Sequence, residues 1–441
     1  MSDQPAWGKE VHHHATQEKA LTDLLQFPLV EAIFGRRSRR FFRGAEVPDG
    51  PLAFTSRHQP LPLDDVEKLL ILAAVGGVTG WHNSVTRHDR YAPHLSNYAG
   101  SASGRTFPSA AGFHTAEIFF TDDSGTYLLE TRDYAVPVNR NKEGQIGLPL
   151  LIDSIKPRIR KLADTRLHIP AREPYMEGHN TWVANRPGSL LVFPVGDLAQ
   201  HTIANLFFYA TNGYTIYDDI HKRKIPGIEK FASLVDIDQP YPLTFVEQYS
   251  LTELTAELST SVYAGMLMQQ ALGLGGWMFD GIDRLTVLGA SGDPEVPGLG
   301  FRYDTDERWS QPNPTGLAGV FETLSPPHYP DLRAAVDAYV ERKFGPGGPF
   351  HQDTPGPWQD SSKVRSSAKT YDEPIRELVT LQAQYIYDTF GKFPATVPTV
   401  FSLMYLQTHH LDLEYYDKLF LPGAYLRTHA DHLEKWHGKS E

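Results

Sequence analysis

Cysteine is absent from all 441 residues. That absence removes disulfides, thiolate zinc sites, iron–sulfur clusters and cysteine nucleophiles, and it leaves any redox chemistry to a bound cofactor. Long apolar runs are missing too: residues 69–78 (LLILAAVGGV) and 190–195 (LLVFPV) fall well short of the roughly 18 residues that a membrane-spanning helix needs. Basic charge is in deficit. Lys and Arg number 41 against 53 Asp and Glu, a net charge of −12, so neither nucleic acid nor an anionic membrane is an expected partner. The polar start MSDQPAWGKE lacks the basic and apolar regions of a secretory leader, and the expected location is cytoplasmic. The run His12-His13-His14 is read as solvated and given no role.

What is present suits a folded enzyme-sized chain, with 41% hydrophobic and 12% aromatic residues. Asp64 and Asp65 before VEKLLILAA predict a capped core helix. Residues 116–121 (AEIFFT) and 126–130 (TYLLE), divided by DDSG, predict a hairpin. A strand is expected over 189–195, with Asp197 capping a helix towards Ala210. A long helix is expected over 250–278, breaking at its glycines, and another after Asp372-Glu373-Pro374. Residues 304–316 and 344–362 read as loops that set off the C-terminal part.

Three segments point to chemistry. Residues 33–42 (IFGRRSRRFF) place guanidinium forks around a hydroxyl, a set that suits a phosphate monoester; a solvated basic helix face is the other reading. Residues 271–283 (ALGLGGWMFDGID) combine a glycine-rich helix end with an Asp280-Gly281 pair, and a plain glycine helix stop accounts for them equally well. Residues 104–114 (GRTFPSAAGFH) supply small side chains and a Pro-Ser turn that let a backbone approach a flat ring.

Together these segments resemble the nitroreductase superfamily of FMN enzymes. Arg36, Ser38, Arg40 and Phe42 match its Arg-x-Ser-x-Lys/Arg-x-Phe signature, and residues 104–114 are similar to the subgroup that contains the azoline (thiazole/oxazole-forming) dehydrogenases. The sequence departs from that subgroup at Tyr263-Ala264 and has Lys230-Phe231 in place of its Lys-Tyr pair. The resemblance implies that Arg36, Arg37 and Ser38 hold the flavin phosphate and ribityl chain, with Arg40 near the pyrimidine edge. It implies that backbone N–H groups at Asp280 and Gly281 face N5 and O4, and that Pro108, Ser109, Ala110 and Gly112 line the ring. No catalytic side chain is assigned, because the flavin itself carries the hydride.

The implied fold is α+β, a nitroreductase-like three-layer arrangement of a central, mostly antiparallel sheet flanked by helices. Residues 1–24 would be an N-terminal extension, 25–303 the FMN-binding domain with an insertion at about 135–245, and 304–441 a mainly helical C-terminal extension. The implied activity is an oxidoreductase acting on a small organic molecule. NAD(P)H is the implied electron donor of a reductase, and a homodimer the implied assembly.

A fourth group is C-terminal: His409, His410 and Asp412, then His429, His432 and His437 among aromatics. His429 and His432 would share a helix face and, with Asp412 or His410, make a carboxylate–histidine metal site. Half-buried histidines on an amphipathic helix are the preferred reading, so no metal ligand is assigned. A metal-dependent enzyme using this group, or a non-catalytic flavin-binding protein, are the alternatives to the flavoenzyme.

Overall fold

The computed structural model describes residues 15–81, 103–109, 112–132, 147–354, 358–366, 368 and 370–438. Helix α1 spans Leu29–Gly35 and helix α2 spans Asp65–Gly76. The start of α2 is a capping box. The Asp64 carboxylate accepts from the Glu67 N–H at 2.8 Å, and the Glu67 carboxylate accepts from the Asp64 N–H at 2.7 Å.

The expected hairpin forms as β1 (Ala116–Asp122) and β2 (Gly125–Leu129), flanked by β3 (Ile159–Ala163). Strand β4 (Leu190–Asp197) is buried along its whole length and leads into α3 (Leu198–Thr211), with Asp197 as the cap as expected. Helix α4 runs Leu243–Leu272 and is followed by β5 (Gly275–Phe279). Further on lie α5 (Leu332–Phe344), α6 (Glu373–Phe390), β6 (Val400–Phe401), β7 (Tyr405–His409), α7 (Leu413–Leu419) and α8 (His432–His437).

The central sheet has the order β5-β7-β4-β1-β2-β3, with β6 also paired to β4, and every pair is antiparallel. Its apolar core gathers Phe119, Phe193, Trp277 and Tyr405 with Leu69, Leu70 and Leu72 of α2. A second cluster forms where α3, α5 and α6 pack around Phe207, Tyr339 and Ile386. Among the described residues no helix is long and apolar enough to cross a membrane.

The long helix breaks at its glycines as expected: it stops at Leu272, because Gly273 turns left-handed at φ 82° and a Cβ there would lie 2.1 Å from the Thr428 carbonyl. Three local expectations are corrected. Residues 275–279, read as the end of that helix, are strand. Residues 304–316 are not simply loop, since Arg302–Asp304 pairs antiparallel with Asn313–Leu317. The C-terminal segment does carry helices, but it also inserts β7 between β5 and β4, one strand in from the end of the sheet.

Candidate cofactor site

The structure brings the first two segments together. An antiparallel bridge joins Arg39 to Gly276, whose N–H donates to the Arg39 carbonyl at 2.8 Å. On its other side Gly276 permits the close approach of β7, for it sits at φ 137° and a Cβ would collide with the Gln407 carbonyl. Because the bridge is antiparallel, the chain leaving Gly276 towards Asp280 runs in the direction of Ser38 and Arg36. Arg40 lies over the Trp277 ring, 4.8 Å from its centroid.

The residue that locks this segment is Arg39, which sequence reading passed over. It is buried, and its guanidinium donates to Gln270 Oε1 (2.8 Å), the Ala424 carbonyl (2.9 Å) and the Gly35 carbonyl (3.1 Å). Burial lowers its pKa to about 10. Nothing in the string RRSRR distinguishes an anchoring arginine from a ligand-binding one. Around it, Arg37 and Ser38 are exposed and Arg36 is half-buried, its Nη1 3.8 Å from the Met266 sulfur. Arg37 donates to the carbonyls of Phe34 (3.0 Å) and Arg36 (2.7 Å).

Asp280 is exposed at the end of β5, whereas Gly281 is buried against Asn180 and its carbonyl accepts from the Glu177 N–H at 2.9 Å. Ala110 lies outside the described residues. The rest of the third segment packs on α4: Thr260 Oγ1 donates to the Pro108 carbonyl at 3.2 Å, and Ser109 Oγ donates to Glu257 Oε2 at 2.5 Å while accepting from the His114 N–H at 3.2 Å. Ser109 therefore anchors its loop to a buried carboxylate, and Gly112 turns that loop at φ 67°. Glu257 and Met266 are about two and a half helical turns apart. Within one chain the third segment and the Arg36 end of the first thus meet opposite faces of α4. A surface depression of about 890 Å³, lined among others by Phe54, Arg57, Glu414 and Lys418, is separate from all of these residues.

The C-terminal histidines divide. His410, at the end of β7, and His432 and His437 of α8 converge on Glu67, whose role sequence reading missed. Glu67 is fully buried, and its Oε1 lies 2.9 Å from His432 Nε2 and 3.0 Å from His437 Nε2, with Oε2 3.5 Å from His410 Nε2. Burial alone would raise the Glu67 pKa, but the three imidazoles outweigh it and hold the group below the usual carboxylate range. Burial also drives His410 well below an ordinary histidine. Asp412 and His429 do not join this cluster. Asp412 caps α7 through the Glu414 N–H at 3.1 Å, and His429 Nδ1 accepts from the Leu426 N–H at 3.1 Å. The only sequence signal at Glu67 is its place in a capping box, which reads as a helix start.

No family model and no curated protein matches this sequence. Among solved structures, the chain is similar to a protein of Ralstonia eutropha JMP134 provisionally described as a nitroreductase, at 14% identity and a TM-score of 0.26, over 58% of this chain and 72% of that one.

Proposed function

We propose that the chain is an FMN-dependent oxidoreductase of the nitroreductase type, which transfers hydride between flavin N5 and a small organic substrate and works as a homodimer. The observation that carries this reading is the Arg39–Gly276 bridge. It sets the arginine–serine segment beside the strand that leads to Asp280-Gly281, in the order the sequence resemblance implies. The donor set fits a flavin phosphate: Arg36, Arg37 and the Ser38 hydroxyl are accessible beside the rigid anchor of Arg39, in a protein that is otherwise strongly acidic. When bound, the flavin supplies the hydride chemistry. The chain's own task is to hold the phosphate with Arg36 and Ser38, to place Arg40 near the pyrimidine edge, and to offer fixed backbone donors at Asp280 and Gly281.

A second copy completes the pocket. Since Pro108 and Ser109 meet α4 on the face opposite the Arg36 end, a ring bound beside Arg36 receives this segment from the partner. Helix α1, which immediately precedes Arg36, carries an apolar face suited to that contact, with Leu29 at 66%, Val30 at 67% and Phe34 at 76% exposure. Phe34→Asp should convert dimer to monomer in sedimentation equilibrium and lower bound flavin in parallel; a dimer that persists with full flavin rejects this surface.

The similarity to the azoline dehydrogenase subgroup rests on residues 104–114. With Lys230-Phe231 in place of the Lys-Tyr pair, oxidation of peptide heterocycles is not part of the proposal.

The first test is the visible spectrum of the purified protein and the identity of any chromophore released on heating. Flavin bands and released FMN are expected, with bleaching by NADPH or NADH if the enzyme is a reductase. A colourless protein that takes up no added FMN rejects the reading. Arg36→Ala should stay folded and bind FMN more weakly by about 2 to 3 kcal/mol, roughly 30- to 150-fold, through loss of a charge-assisted phosphate contact. Unchanged affinity would remove Arg36 from the site.

A further inference from the structure

The Glu67 cluster has no part in the flavin reading, and its hydrogen bonding does not close. His432 Nδ1 lies 2.7 Å from the Leu272 carbonyl and donates to it. Its Nε2 faces the Glu67 carboxylate, which has no exposure to water, at 2.9 Å without the alignment of a hydrogen bond. Both ring nitrogens of His410, which is 2% exposed, also have no hydrogen-bond partner. Buried polar atoms are almost always partnered, so two ring nitrogens turned on one carboxylate without a hydrogen bond, Nε2 of His410 and Nε2 of His432, ask for a shared electrophile.

We propose that Glu67, His410, His432 and His437 bind a single first-row divalent transition-metal ion, zinc above all, which clamps the C-terminal helix to the start of α2 and the end of β7. Three imidazoles and one carboxylate are a donor set for zinc, and four protein ligands with no open position make a structural rather than a catalytic site. The four ligand atoms lie within 4.8 Å of one another. Metal–ligand bonds of about 2.1 Å in a tetrahedron imply edges of roughly 3.4 Å. The separations of 2.9 and 3.0 Å from Glu67 Oε1 to His432 and His437 are already near that value, and binding draws the widest pair together by up to about 1.4 Å. The Leu272 carbonyl on His432 Nδ1 is the outer partner that fixes a metal-bound imidazole, and the Asp64 N–H on Glu67 Oε2 orients the carboxylate.

The benefit to the fold is local. Helix α8 has six residues, too few to persist alone, and a metal binding two of its side chains holds it to β7 and to α2, the latter more than 350 residues away in sequence.

The test uses the full chain with His12, His13 and His14 replaced by alanine, so that no metal is counted on that run. Elemental analysis should find about one equivalent of divalent metal. Protein stripped with a chelator should melt lower, and zinc should restore it. Cobalt should load to one equivalent with the visible bands of a tetrahedral site, and His437→Ala and Glu67→Gln should each weaken its uptake at least tenfold. Should either variant fail to fold, stripping and reloading the parent chain decides the matter. The proposal is overturned if stripped, folded protein takes up neither zinc nor cobalt and its melting is unmoved. It is equally overturned if cobalt uptake is undiminished in the folded ligand variants. FMN content, read on the same samples, depends on other residues and separates failure of this site from failure of the flavin reading.

Discussion

Between pH 7 and pH 4 the protein should lose about 3 kcal/mol of stability through His409 alone. The ring lies at the end of β7, paired across to Gly275, at 1% exposure, and burial lowers its pKa to about 3. Its hydrogen bonds enforce the neutral form. His409 Nε2 donates to the Arg39 carbonyl at 3.1 Å, and Nδ1 accepts from the Gln407 side-chain amide at 3.3 Å. The orientation of that amide is fixed, because its oxygen accepts from the Asn185 N–H and its nitrogen donates to the Val183 carbonyl. A second proton on His409 would therefore point at another donor. In the unfolded chain the same imidazole takes up a proton near pH 6.5. The unfolded state thus binds more protons between about pH 6.5 and pH 3, and stability falls as pH drops through that window. Urea unfolding at pH 7 and pH 4 should show the loss in the parent and a clearly smaller one in His409→Gln, whatever that variant's starting stability. An equal loss in both would mean that His409 is protonated in the folded state.

That imidazole also shows where sequence reading runs out. The capped α2, the β1–β2 hairpin and the Asp197 cap were legible because each is local: a cap lies within three residues of what it caps, and a tight hairpin pairs residues on either side of one turn. Strand β7 was not legible. Its sequence YLQTH puts Gln407, Thr408 and His409 at the centre of the molecule, where a buried strand is normally apolar. They are tolerated because their partners come from far along the chain. Gln269 donates to the Gln407 carbonyl and to Thr408 Oγ1 at 2.8 and 2.7 Å, and Arg39 supplies the acceptor for His409. A polar run satisfied by residues more than a hundred positions away looks, in one dimension, like a site on the surface. The same holds for Glu67, whose three imidazole neighbours all come from the last 32 residues. Within the candidate flavin site, the resemblance to the Arg-x-Ser-x-Lys/Arg-x-Phe signature singled out Arg36, Ser38 and Arg40, while the burial that makes Arg39 the anchor is set by α4 and by Ala424.

Asp197 joins the legible to the illegible, and its removal should cost about 3 kcal/mol or more. From sequence it is a helix cap, and it is one: Oδ1 accepts from the Gln200 N–H at 2.9 Å. Loss of a cap alone is worth about 1 kcal/mol. The structure adds two further partners on Oδ2, the Leu324 N–H at 3.0 Å and Arg132 Nη1 at 2.9 Å, around a carboxylate with no exposure. Desolvation pushes the Asp197 pKa up, with Arg132 and the two backbone donors pulling against it, so the pairing offsets the burial only in part. In Asp197→Ala the Leu324 N–H loses its acceptor, and Arg132 loses its 2.9 Å carboxylate contact while retaining Glu117 Oε1 at 3.3 Å and Gln200 Oε1 at 3.2 Å. Breaking a buried pair from one side leaves the other charge less well compensated, which is why the loss exceeds the cap value. Asp197→Asn retains an oxygen for the Gln200 N–H and should fall between the two. Denaturant unfolding of both variants checks the order. A loss near 1 kcal/mol in Asp197→Ala would mean that water or Glu117 takes over the guanidinium, and that Asp197 serves the fold as a cap and nothing more.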